Sequence, residues 1–215
     1  MELDTASYDQ HDVAPLKVEM WGDLQCVWCY IELAAFRRAA AELGGVDVRF
    51  RTYSLFPDRA GHLADGPREG ETSWFPAGIA SLTSELGLGY DGTKLVSTGS
   101  QKAHELVHFA AACGEPLPMV ERLFRAHFAE GLDISDLGTL VDLAVECGLD
   151  KDGAATALRR GMYSAAVEQD NHLAYLLGVS GVPFAVVNGK YTLSGIQTAG
   201  TVKNALVLAR NAHGA

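Results

Sequence analysis

Two cysteines with two residues between them, Cys26-Val27-Trp28-Cys29, carry the most reactive chemistry in this sequence. Three kinds of site use that spacing: a dithiol redox centre, half of a zinc site, and a haem attachment point. Haem attachment needs a histidine directly after the second cysteine, and Tyr30 stands there. Zinc needs a second pair of ligands. His104 and His108 lie four apart, and Cys113 and Cys147 follow, but none of these forms a second CxxC or a histidine pair of zinc-finger spacing. No metal is therefore expected. An inert pair is the remaining bland reading, since unpaired cysteines pack as small apolar side chains.

The position of the motif favours redox chemistry. From Cys26 the apolar residues Cys29, Tyr30, Leu33, Phe36, Ala40 and Leu43 recur at spacings of three and four, and Gly44 and Gly45 follow. That periodicity predicts a helix opened by the motif and stopped by the glycines. At a helix N-terminus the free N–H groups and the dipole favour a negatively charged sulfur. A thiol there drops from about 8.5 into the range of about 3.5–7.5. The thiolate attacks a disulfide and forms a mixed disulfide, which a second thiol one turn away can break. Cys26 is thus expected to be an exposed, acidic nucleophile and Cys29 a shielded resolving thiol.

The flanking elements follow from pattern. Leu16–Trp21 and Val46–Tyr53 alternate apolar and polar residues and read as strands around that helix. Residues 57–99 are rich in Gly, Pro, Asp and Ser and read as a loop with one short helix near residues 80–86. Residues 100–161 read as helical. Ala103, Leu106, Val107 and Ala110 form one stripe, Pro118 opens a helix bearing Met119, Leu123 and Phe124, and Ser135 caps one bearing Leu137, Leu140, Val141, Ala144 and Val145. Asp150 caps another. A helix over residues 164–177 ends at Gly178. Pro183–Val187 and Lys190–Ser194 read as a hairpin across the two-residue turn Asn188-Gly189, and residues 198–209 as a last helix. Strands lie at both ends of the chain and helices between them, which implies one sheet with a helical insertion.

Composition bounds the rest. A chain of 215 residues with a net charge of −10 repels phosphate backbones and anionic membrane surfaces, so neither nucleic acid nor membrane is an expected partner. Residues 1–14 are polar, with no basic flank or apolar run, and read as a tail with no secretory signal. The expected location is the cytoplasm, where a close cysteine pair is catalytic more often than structural. His104 and His108 read as partly exposed helix histidines, Cys113 and Cys147 as unpaired thiols, and Trp21, Trp28 and Trp74 as packing residues, with Trp28 necessarily near the site.

These residues also resemble a known family. The run CVWCYIELAAFRRA is similar to the active-site helix of DsbA-like thioredoxin-fold oxidoreductases, in particular the FrnE-type branch. AHELVHFA, RLFRAHFAEGLDISD and GVSGVPFAVVNGKYTLSGIQ resemble the same branch, so the likeness spans residues 16 to about 210. It implies an α/β thioredoxin-like fold, a four-stranded mixed sheet with flanking helices, over residues 1–56 and 163–215, and an inserted α-helical domain over residues 57–162. It implies disulfide exchange at Cys26 and Cys29, a cis Val182–Pro183 bond facing them, and substrate contacts at Val182, Pro183 and Trp28. No cofactor is implied, and the partners are protein or small-molecule thiols and disulfides, acting on a monomer or homodimer. Val27 stands where the branch usually has proline, which leaves the preferred redox direction open. The kappa-class transferases and hydroxychromene-carboxylate isomerases share this architecture but use a serine first and lack the second cysteine. A non-catalytic chaperone-like module is the other alternative.

Overall fold

The computed structural model describes residues 15–55, 78–96, 98–114 and 116–212. The tail expected over residues 1–14, most of the loop after residue 55 and Trp74 lie outside them. β1 (Leu16–Gly22) and β2 (Val46–Thr52) run parallel, with Leu16 opposite Val46 and Gly22 opposite Thr52. Parallel strands need a crossover, and α1 (Val27–Leu43) supplies it. β3 (Phe184–Val187) pairs antiparallel with the other side of β1, and β4 (Tyr191–Ser194) pairs with β3, giving the order β2-β1-β3-β4. This is the four-stranded mixed sheet expected from the strand pattern, in the thioredoxin-like arrangement that the resemblance implied.

Between β2 and β3 lie α2 (Ile79–Glu85), α3 (Gln101–Cys113), α4 (Pro116–Phe128), α5 (Leu137–Glu146), α6 (Lys151–Arg160) and α7 (Ser164–Leu176). The chain closes with α8 (Ala199–Asn211). Strand alternation sorts the sheet into two faces. Leu16, Val18, Met20, Val48, Phe50, Ala185 and Val187 point into the main core with α1, α8 and the helical insertion. Trp21, Val186 and Phe184 point the other way, under Ala174 of α7. Aromatic rings join the insertion to the site helix. Tyr30 stacks on Phe124 and Phe128 with centroids 5.3 and 5.6 Å apart, and Phe124 meets Phe50 edge-on at 5.9 Å.

Four local readings are corrected. α4 begins at Pro116 rather than Pro118. Both prolines fit its first turn, where the missing N–H groups have no helical acceptor to lose. The cap of α5 is Asp136, which accepts the Thr139 N–H at 2.7 Å. Ser135 instead bonds back to Asp133 Oδ1 at 2.6 Å, so its hydroxyl is already committed. Leu137 and Val145, read as part of the buried stripe of α5, are exposed, because that stripe narrows to Leu140, Val141, Leu143 and Ala144. Asn188 and Gly189 do adopt positive φ, +50° and +67°. Yet Val187 pairs with Tyr191, so Lys190 belongs to the loop and β4 starts one residue later. The turn docks on β1 through Asn188 N–H to Lys17 O and Lys17 N–H to Asn188 Oδ1, both 2.8 Å. The Asp150 cap is as expected, accepting the Gly153 N–H at 2.6 Å.

The corrected cap is testable by equilibrium urea unfolding. Asp136→Ala is expected to cost about 1 kcal/mol of stability, and Ser135→Ala less than half of that.

Candidate active site

Cys26 is the N-cap residue of α1, with φ −94° and ψ 108°, and its carbonyl accepts the first helical bonds from Cys29 N–H at 2.9 Å and Tyr30 N–H at 3.2 Å. Its side chain makes no capping hydrogen bond to the helix. The Cys29 thiol donates toward the Cys26 sulfur and is the main cause holding the Cys26 thiol below its ordinary range. Burial opposes that shift, the Cys29 and Trp28 N–H groups reinforce it, and the Asp23 carboxylate opposes it. Cys29 moves the other way. Burial chiefly, and then its bond to Cys26, push its thiol well above the usual value. The pair therefore has one sulfur tuned to ionise and one tuned to keep its proton.

The expectation that Cys26 would be exposed is corrected. It is buried, with 8 % of its surface accessible against none for Cys29. The turn over residues 22–25 and the β3 end of the sheet close around it. Gly22 shows how tightly: a Cβ there would stand 2.7 Å from Phe50 Cε2 and 3.2 Å from Cys29 Cβ. The access that remains ranks the two sulfurs in the expected order.

The Val182–Pro183 bond is cis, as the resemblance implied. The Val182 carbonyl faces Cys26, whose sulfur lies 3.9 Å away. Pro183 is buried, Val182 is half-buried, and Val182 lies just outside the β1–β3 ladder, which begins at Phe184. Trp28 is half-buried in the first turn of α1, packed against the main core. Trp21 is a packing residue as read, its indole N–H donating to Asp170 O at 3.2 Å. Cys113 and Cys147 are free thiols, the first exposed and the second partly so.

Sequence reasoning missed the buried polar groups around the pair. His104, read as partly exposed, has no accessible surface. Its Nε2 takes the Leu24 N–H at 3.4 Å and lies 3.6 Å from Asp23 Oδ1. His108 is half-buried against Thr52 Oγ1 and Asp170 Oδ2, at 3.1 and 3.2 Å. Asp23 is fully buried, its carboxylate accepting Gln25 N–H at 3.0 Å and Leu55 N–H at 2.8 Å. Glu32 is also buried, accepts Gln197 N–H at 2.7 Å through Oε2, and leaves Oε1 unpartnered. Burial pushes its carboxyl up to about 7. The signals were faint: an aspartate three residues before Cys26, and Glu32 and His104 set within the apolar stripes of their helices. Among the described residues, no three His, Cys, Asp or Glu side chains converge as a metal would require.

Comparison with known proteins follows the same lines. The model of the DSBA-like thioredoxin domain matches residues 17–207. A probable DsbA oxidoreductase from Streptomyces coelicolor superposes with a TM-score of 0.81 at 28 % identity, covering 91 % of this chain and 90 % of that one. The cytosolic disulfide reductase DsbM from Pseudomonas aeruginosa, solved with GSH, has a TM-score of 0.62 at 20 % identity, covering 91 % of this chain and 96 % of that one. The uncharacterized protein YwbO of Bacillus subtilis is 25 % identical over 159 residues, 74 % of this chain and 79 % of its own.

Two outcomes are expected from this packing. Gly22→Ala forces the Phe50 ring or Cys29 to move and should cost about 1–3 kcal/mol in chemical unfolding. Glu32 carries a folded-state value near 7 against an ordinary 4.5, so its stabilising proton is fully present below pH 4.5 and lost as pH rises through 7. Unfolding free energies measured across that window should fall with pH in the wild type, and that slope should disappear in Glu32→Gln.

Proposed function

Since the chain belongs to the DSBA-like thioredoxin domain family and is a thiol–disulfide oxidoreductase, we propose that Cys26 is its nucleophile and Cys29 its resolving thiol. The observation that carries this assignment is the opposed tuning of two sulfurs one helical turn apart, with the more accessible one held acidic.

In the reducing direction the Cys26 thiolate attacks one sulfur of a substrate disulfide. A Cys26–substrate bond forms, and the other substrate sulfur leaves as thiolate. Cys29 then loses its proton and attacks Cys26, the mixed disulfide breaks, and the substrate departs with both sulfurs reduced while the enzyme pair is oxidised. The oxidising direction runs the same bonds backward. Val182, Pro183 and Trp28 form the substrate contact in this reading. An extended substrate segment pairs with the Val182 backbone, which lies beside the sulfur and outside the ladder, as in β-strand addition. Backbone pairing reads few side chains and suits varied disulfides.

The split we assign, residues 1–56 with 163–215 around an insertion over 57–162, is supported by strands at both ends and helices α2 to α6 between them. We place the protein in the cytoplasm, a reading supported by its likeness to a cytosolic disulfide reductase. No described helix is long and apolar enough to cross a membrane. The intact cysteine pair disfavours the glutathione-dependent transferases and isomerases that share the fold.

The assignment predicts the products of two variants. Cys26→Ser should abolish disulfide exchange, and Cys29→Ser should accumulate mixed disulfides visible by intact mass. Cys26 should alkylate faster than Cys29 at neutral pH, and the reverse order would refute the roles. The reduction potential of the pair sets the direction: near about −270 mV marks a reductant, near about −120 mV an oxidant.

A further inference from the structure

The residue before Cys26 ties its turn to the helical insertion. Gln25 is buried, with 7 % of its surface accessible. A buried amide must find partners for both of its ends. Residues 98–100, just before α3, supply them. The amide lies with its nitrogen toward Thr98 O at 2.7 Å, and its oxygen accepts the Ser100 N–H and the Ser100 hydroxyl, each at 3.1 Å. The opposite orientation would set oxygen against oxygen at Thr98, so the partners fix which way the amide lies. The side chain thus pairs with Thr98 and Ser100 much as a neighbouring strand would.

The anchor is itself held. Thr98 and Ser100 are buried. Thr98 Oγ1 donates to Asp133 Oδ1 at 2.6 Å, and the same oxygen accepts the Ser135 N–H at 2.8 Å and the Ser135 hydroxyl at 2.6 Å. Ser100 O accepts the His104 N–H at 2.8 Å, so the anchor runs straight into α3. The Ser100 hydroxyl makes no capping bond to that helix, which leaves it to Gln25. The turn, for its part, closes on itself. The Cys26 N–H donates to Asp23 O and the Gln25 N–H to Asp23 Oδ1, both at 3.0 Å. Backbone bonds therefore give the turn its shape, and the Gln25 side chain gives it its place.

Cys26 follows that clamp directly, in an extended conformation with φ −94° and ψ 108°. Its sulfur meets the Trp28 and Cys29 N–H groups and the Cys29 thiol, and lies 3.9 Å from Val182 O. Hydrogen bonds weaken steeply as they lengthen and bend, so a small displacement of the turn loosens all of these together. Gln25 is neutral and acts on the sulfur by placing it.

We propose, on the role given above to Cys26, that Gln25 is a positioning residue for that nucleophile: its amide locks the turn before α1 to residues 98–100 and so sets the direction in which the Cys26 sulfur meets the α1 N–H groups and an incoming disulfide. Loss of the amide strands Thr98 O and the Ser100 N–H in the interior and frees the turn.

Alkylation of the reduced, intact chain by iodoacetamide tests this. Followed by peptide mass from roughly pH 3 to 9, it reads the midpoint at which the Cys26 thiolate forms. Gln25→Met keeps the length of the side chain and removes its hydrogen bonds. Its midpoint should rise by about one pH unit, the ~10-fold change that one lost hydrogen bond brings. Ser100→Ala deletes only the hydroxyl, and its midpoint should rise by about half as much. Asp150→Ala weakens the cap of α6 without touching these bonds and should leave the midpoint in place. An unchanged midpoint in either folded clamp variant overturns the proposal. An equal rise in Asp150→Ala overturns it too, since that marks general loosening of the chain. If Gln25→Met does not fold, Ser100→Ala decides by the same criterion. A wild type in which Cys29 alkylates before Cys26 would instead refute the roles of the two cysteines.

Discussion

A sulfur closed off from water resists ionisation, because an apolar interior returns little of the hydration energy that a thiolate loses. Cys29 is in that position, and its neighbours are arranged accordingly. The turn over residues 22–25 brings a helix N-terminus against the end of β1 and β2. Gly22 has no Cβ because Phe50 and Cys29 fill the space. The same closeness that keeps Cys29 dry lets its thiol donate to Cys26 and hold that neighbour acidic. One packing constraint thus separates the two thiols electrostatically, within four residues of chain.

The buried carboxyls illustrate how partners decide the outcome of burial. Asp23 has two backbone N–H donors on its oxygens and a histidine beside it. Glu32 has a single donor and an oxygen with none, and its proton is held up to about 7. Lone pairs that lose water without gaining a donor favour the neutral acid. The two acids sit on either side of the motif, and the Asp23 carboxylate opposes ionisation of both sulfurs.

The other sheet face carries a different polar cluster. Arg51 of β2 bridges Glu19 of β1 and Asp170 of α7, with its guanidinium 5.9 Å from the centre of the Trp21 ring. Asp170 also takes the Thr52 N–H at 3.0 Å and faces His108 of α3. Asp170 is buried while Glu19 is about a third exposed, so losing Asp170 strands Arg51 and costs more than losing Glu19. The cluster ties α7 to β1 and β2, and α7 leads directly into Val182. Together with the aromatic stack from Tyr30 to Phe124, it fixes the helical insertion on both sides of the site.

Local physics wrote much of this protein into its sequence. Period-two alternation gave β1 and β2, an apolar run with the Asn-Gly turn gave β3 and β4, and period-three-to-four patterns gave most helices, all to within a residue or two, since each pattern records which side of an element meets the core. The helix-opening CxxC gave the ranking of the two thiols, because a helix end acts on the residues that form it. Helix caps were harder: Ser135 and Asp136 are both good capping types, and the competing acceptor Asp133 decided between them. Where Cys26 was concerned, exposure could not be read at all, because closure depends on β3, which arrives 156 residues later with Val182. His104 and Asp23 are 81 positions apart in sequence, and either alone reads as an ordinary polar residue. Only the packing of α3 over the turn before α1 buries both and sets them side by side, because burial and pairing are properties of the neighbours a side chain acquires and not of the side chain itself.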